Sequence, residues 1–95
     1  MAEYPVGEIR QLLVALRDLL QQEGESNWVY GIDGILQLLE EPPDVNGARS
    51  GYKTMCGGYG SFSDLIIWKD DFEDRRRVNR LLDDLRNKLC VLFRL

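Results

Sequence analysis

The sequence predicts a mainly α fold, a compact bundle of about four helices with one short extended segment near residues 62–68. Apolar residues recur at helical spacing in separate stretches, and glycine, proline or aspartate punctuates the joins. The pattern breaks once, at Cys56-Gly57-Gly58-Tyr59-Gly60-Ser61-Phe62-Ser63-Asp64-Leu65-Ile66-Ile67-Trp68. Its glycines admit backbone angles that a β-carbon forbids, and the β-branched and aromatic run behind them is too short to prefer helix. With 95 residues the chain suits a single domain, residues 1–95, built on one core.

The first helix is expected over residues 5–22. Ile9, Leu12, Leu13, Leu16, Leu19 and Leu20 form its apolar stripe, Pro5 suits the first turn, and Gly24 ends it. The second opens at Glu25-Ser26-Asn27-Trp28, with Ser26 or Asn27 as N-cap, and buries Trp28, Ile32, Ile35, Leu36 and Leu39. Gly31 and Gly34 are read as small positions that let the first two helices approach. Glu40-Glu41-Pro42-Pro43 stops that helix, and Asp44 caps a shorter third running from Val45 to about Met55, with Val45, Ala48, Tyr52 and Met55 inward. The run Leu65-Ile66-Ile67-Trp68 has no polar alternation and is expected to be buried on both sides. Asp70 or Asp71 starts the last helix, which carries Val78, Leu81, Leu82, Leu85, Leu89 and Leu92 on one face. Arg75, Arg76 and Arg77 stand at pairing distance from Asp71, Glu73 and Asp74. Val91, Phe93 and Leu95 make the helix end either buried or adhesive.

The formal net charge is −4, which argues against a dedicated binder of nucleic acid or of an acidic membrane surface. The charge is uneven: residues 1–50 hold nine acids and three arginines, whereas residues 51–95 hold nine bases and seven acids. Histidine is absent, removing the commonest general base and zinc ligand, and Cys56 and Cys90 stand too far apart in sequence for a metal motif. The beginning Met1-Ala2-Glu3-Tyr4-Pro5 lacks an export signal's basic head and apolar core, so a cytoplasmic location with reduced thiols is expected. No stretch approaches the ~20 apolar residues of a membrane span.

The glycine turn is weighed as a chemical site. A phosphate loop follows a strand, opens a helix and holds a lysine; here the order is reversed and Lys69 comes after the apolar run. Ser61 and Ser63 have no histidine to activate them. Cys56, at a helix end, is read as a small packing side chain. Asp64 is read as a cap on local N–H groups, with a partner contact as the alternative. No catalytic, cofactor or metal site is assigned.

Three pieces together carry a resemblance: Gly24-Glu25-Ser26-Asn27-Trp28, the turn Gly57-Gly58-Tyr59-Gly60-Ser61-Phe62-Ser63-Asp64-Leu65, and a terminal helix with Asn79, Leu82 and Leu85. The chain resembles a family of small bacterial proteins of unknown function that carry a "GE-x-x-W" corner and a "GG-x-G-S-hydrophobic-N/S-D-L" turn. The resemblance implies no reaction. Because small genes of this kind neighbour toxins or mobile elements, it implies an immunity or inhibitor role. The basic triplet and apolar tail depart from the pattern.

The functional expectation is therefore a non-enzymatic, acidic binding protein that neutralises a protein partner, a bacterial toxin or another basic, nucleic-acid-directed protein. Glu40, Glu41, Asp44, Tyr59, Asp64, Asp70, Asp71, Glu73 and Asp74 are the candidate contact residues, with Tyr30 and Tyr52 as further anchors. The alternatives are a small enzyme or ligand-binding domain using the glycine turn and Asp64, and an oligomerisation module joined through the C-terminal helix.

Overall fold

The computed structural model describes residues 4–57 and 60–95. Four α-helices make the frame: α1 (Val6–Gln22), α2 (Ser26–Leu38), α3 (Val45–Cys56) and α4 (Phe72–Phe93). A single 3₁₀ turn, Phe62–Asp64, precedes a non-helical stretch at 65–69 that leads into α4. Thus the first part of the anticipated extended segment is a tight turn, and the remainder stays outside helix.

The ends of the helices follow from local chemistry. Gly24 takes φ +78, and the N–H groups of Gly24 and Glu25 reach back to the carbonyls of Gln21 and Leu20 at 3.2 and 2.9 Å. These two bonds close α1 with carbonyls that would otherwise be unsatisfied. Asp44 caps α3 as expected, its Oδ1 accepting from the Gly47 N–H at 2.9 Å. A β-carbon at position 47 would collide with that carboxylate, which explains a glycine inside a helix. Asp71 caps α4 by accepting from the Glu73 N–H at 3.1 Å. The cap of α2 differs from expectation: Ser26 is already helical, and Glu25 holds the N-cap position without a side-chain bond.

The core joins one face of each helix. Ile9, Leu13, Leu16 and Leu20 from α1 meet Ile32, Ile35 and Leu39, then Ala48 and Tyr52, then Val78, Leu82, Leu85 and Leu89. Full burial contributes ~1.5–3 kcal/mol for each such aliphatic side chain. Inside this shell an aromatic series runs Trp28, Phe62, Tyr52, Phe93, with successive centroids 5.1, 6.5 and 5.5 Å apart. Phe62 therefore plugs the turn into the bundle, and Phe93 seats the end of α4. Leu81, placed on the inner stripe by spacing, is exposed on the flank of α4.

Gly31 and Gly34 do not share a role between α1 and α2. A β-carbon on Gly31 would sit 2.9 Å from Met55 Sδ, so this glycine serves the approach of α3, whereas Gly34 faces open space. α4 runs antiparallel to α1. Lys69, just before α4, donates to Glu23 at the end of α1 over 2.9 Å, and at the opposite end Arg94 lies 4.6 Å above the Tyr4 ring. Arg49 of α3 completes that second end, donating to the carbonyls of Phe93 and Arg94 at 2.8 and 3.0 Å.

Candidate functional site

Residues 65–69 are held by side chains of α4. Asn79 places its amide against one residue: the Ile67 N–H donates to Asn79 Oδ1 at 2.8 Å, and Asn79 Nδ2 donates to the Ile67 carbonyl at 2.8 Å and to the Arg75 carbonyl at 2.7 Å. An extended residue presents its own N–H and C=O on the same side, so a single amide satisfies both. One turn pair further along, Arg86 is buried and donates from Nη1 to the carbonyls of Phe62 and Leu65 at 2.6 and 3.1 Å, while Nη2 pairs with Asp83. Its charge is compensated by that carboxylate and by the Phe62 ring 5.6 Å away. Behind the turn, Ser61 and Ser63 donate to the Cys56 carbonyl at 3.1 and 2.7 Å and thereby satisfy the end of α3.

These anchors decide which side chains face outward. Ile67 is fully buried, whereas Ile66 and Trp68 on either side of it are each 72% exposed. The expectation of a segment buried on both sides is therefore corrected: extended side chains alternate, and the four helices cover one face of it only. Phe72, in the first turn of α4, is 56% exposed. Arg75 lies 4.2 Å over the Trp68 ring and 5.4 Å from the Phe72 ring, and Arg76 is 5.9 Å from Phe72. The result is an apolar face stiffened by cation–π stacking at the start of α4.

The candidate contact acids separate into two groups. Asp64, Asp70, Asp71 and Glu73 are exposed and Asp74 half-buried, all close in sequence to the Trp68 and Phe72 face. Asp71 is occupied as a cap, and Asp74 pairs with Arg77 at 3.6 Å. Glu40, Glu41 and Asp44 are exposed too, but in the α2–α3 connection, at the end where Arg49 meets the close of α4. The structure does not bring the two groups together: they belong to opposite ends of a molecule 46 Å in its longest dimension. Tyr59 lies outside the described residues.

The remaining assignments divide similarly. Among the described residues the Asp64 side chain accepts no hydrogen bond, so the N–H capping expected of it is not made; the Ser61 and Ser63 hydroxyls instead satisfy a carbonyl, that of Cys56. Tyr30 is 85% exposed on α2, but Tyr52 is fully buried and cannot serve as a surface anchor. Burial pushes the Tyr52 phenol well above its ordinary range and raises the Cys56 thiol as well, with neighbouring thiols adding to the Tyr52 shift. Cys56 and Cys90 are unbridged and half-buried. Among the described residues, no group of three or more histidine, cysteine or carboxylate side chains is placed to hold a metal ion. Similarly, no described helix is long and apolar enough to cross a membrane.

Neither Arg86 nor the Ile66, Trp68 and Phe72 face was singled out by sequence reasoning. For the face the pattern gave no signal, since Leu65-Ile66-Ile67-Trp68 is apolar throughout. For Arg86 no local signal exists, since its acceptors lie on a distant part of the chain.

A family model described as a domain of unknown function, DUF6966, matches residues 21–74. The chain belongs to this family. The DUF6966 match runs from the last turn of α1 to the first turn of α4, so it contains the 3₁₀ turn, the anchored segment and Phe72. No curated protein and no solved structure matches the chain.

Proposed function

We propose that this DUF6966 protein acts by contact with another protein, as an immunity-type or inhibitor protein that neutralises its partner. The observation that carries the reading is the exposed face of Ile66, Trp68 and Phe72, with Arg75 stacked on it. Tryptophan and arginine dominate binding energy at protein interfaces, and an aromatic side chain already fixed by stacking loses little freedom when covered. Asp64, Asp70, Asp71, Glu73 and Asp74 supply an acidic rim, suited to a basic partner such as a bacterial toxin or a nucleic-acid-directed protein. Glu40, Glu41 and Asp44 fall outside this face. Catalysis has no part in the proposal, and the cytoplasm is its setting.

The test compares stoichiometric capture from the native host by the wild-type chain and by Trp68→Ala/Phe72→Ala. The proposal expects a salt-sensitive partner held by the first and lost by the second at unchanged helicity. Equal recovery by both, or no stoichiometric protein with either, contradicts it.

A further inference from the structure

Residues 65–69 leave one main-chain edge open. The Leu65 carbonyl faces Arg86, and the N–H and C=O of Ile67 face Asn79. In an extended chain the groups of the intervening residues point the opposite way. Accordingly, the N–H and C=O groups of Ile66 and Trp68 have no hydrogen-bond partner among the described residues, and both residues are 72% exposed. The inner side of the segment is satisfied by side chains, and its outer main-chain groups bond nothing among the described residues.

From this edge we infer that the protein receives its partner by strand addition: an extended apolar segment of another protein, flanked by lysine or arginine, pairs with the main chain of Ile66 and Trp68. The inference rests on the contact reading proposed above and names the form of the partner. A second copy of the chain is the poorer occupant. Asp64 closes the 3₁₀ turn just before the segment and Asp70 follows it, so antiparallel pairing of two copies centred on Ile67 brings the acidic flanks of one copy towards those of the other. Like charges placed opposite each other oppose pairing. The same two carboxylates complement basic flanks, while Ile66 and Trp68 offer the β-branched and aromatic surface that cross-strand neighbours favour.

The experiment titrates the isotopically labelled full chain with capped synthetic peptides: Lys-Val-Thr-Val-Thr-Val-Lys, its glutamate-flanked counterpart, and a form with proline at the central valine. Strand addition predicts that the lysine-flanked peptide shifts the Ile66 and Trp68 amides and slows their hydrogen exchange at least about tenfold, while the Ile67 amide, bonded to Asn79, is unchanged. The glutamate-flanked peptide binds at least about threefold more weakly, and the proline form does not bind. Comparison of Ile66→Pro with Ile66→Ala separates main chain from side chain, since both remove the isoleucine and only proline removes the outward N–H. Leu65, at φ −62 and ψ 128, already has the backbone that precedes proline. At least about tenfold weaker peptide binding by Ile66→Pro than by Ile66→Ala supports the inference. Equal binding by the two variants, or shifts at Trp68 and Phe72 side chains without amide protection, overturns strand addition and leaves the contact face standing. Absence of any shift with the lysine-flanked peptide at millimolar concentration also overturns it.

Discussion

Asn79 performs with one side chain what a neighbouring strand performs with its backbone. Its two bonds to Ile67, each 2.8 Å, hold that residue between α4 and the core. Removing the amide leaves an inward N–H and carbonyl unsatisfied, so Asn79→Ala is expected to lose about 1–3 kcal/mol in urea unfolding. An unchanged midpoint would mean that the segment is held by Ile67 burial alone. Tyr52 and Cys56 place a second demand on the fold at this scale. Both have folded-state pKa values raised by burial, so the folded state keeps protons that the unfolded chain releases. Their contribution is complete below the ordinary values, 9.0 for the thiol and 10.0 for the phenol, and is lost as pH rises through and beyond them. Urea midpoints measured from pH 8 upward should fall on the alkaline side, and Tyr52→Phe should flatten the fall. A wild-type midpoint independent of pH there would contradict the burial argument. Tyr52 was legible in the sequence as an inward residue of α3, yet it also served as a candidate anchor, since spacing alone does not reveal how completely neighbours close over a ring. Arg86 was not legible: an arginine three residues from an aspartate on a polar helix reads as solvated surface. Only the folding of residues 62–65 against it supplies the acceptors.

At the scale of elements, most boundaries could be read because single residues dictate them. Gly24 with its left-handed backbone, Asp44 as a side-chain cap and Asp71 as another each act within a few residues of themselves. The pairing of glycines was less legible, because it depends on which helix comes near. Gly31 faces Met55 of α3, but Gly34 meets nothing within 4 Å. Gly34→Ala is therefore expected to stabilise the protein by about 0.5–1 kcal/mol, through better helix propensity at no steric cost. A thermal or urea midpoint that drops instead would place an unseen contact at that position. The segment at 65–69 shows the same limit. Its apolar character was plain, but whether one or two faces are covered depends on how many helices reach it, and that is a tertiary fact.

For the molecule as a whole, the mainly α bundle was predicted correctly. The charge is uneven between the halves, yet among the described residues most ion pairs lie within one half, as Arg17 with Asp33, Asp74 with Arg77 and Lys88 with Asp84 show. Lys69 with Glu23 joins the halves directly, and Arg49 does so through main-chain carbonyls. The acids anticipated as one surface divide between the two ends, leaving the group around Trp68 beside the exposed apolar face. The C-terminal tail divides as well: Phe93 is fully buried, while Val91 is 73% exposed over a groove shared with Leu12 and Leu92. The partner contact proposed above therefore lies at the start of α4 and not at its end. The measurement that tests this most directly is quantitative capture from the native host with wild-type chain and with Trp68→Ala/Phe72→Ala, both confirmed folded by circular dichroism. The account predicts one stoichiometric protein retained by the wild type and absent with the variant; retention of that protein at the same level by both would contradict it.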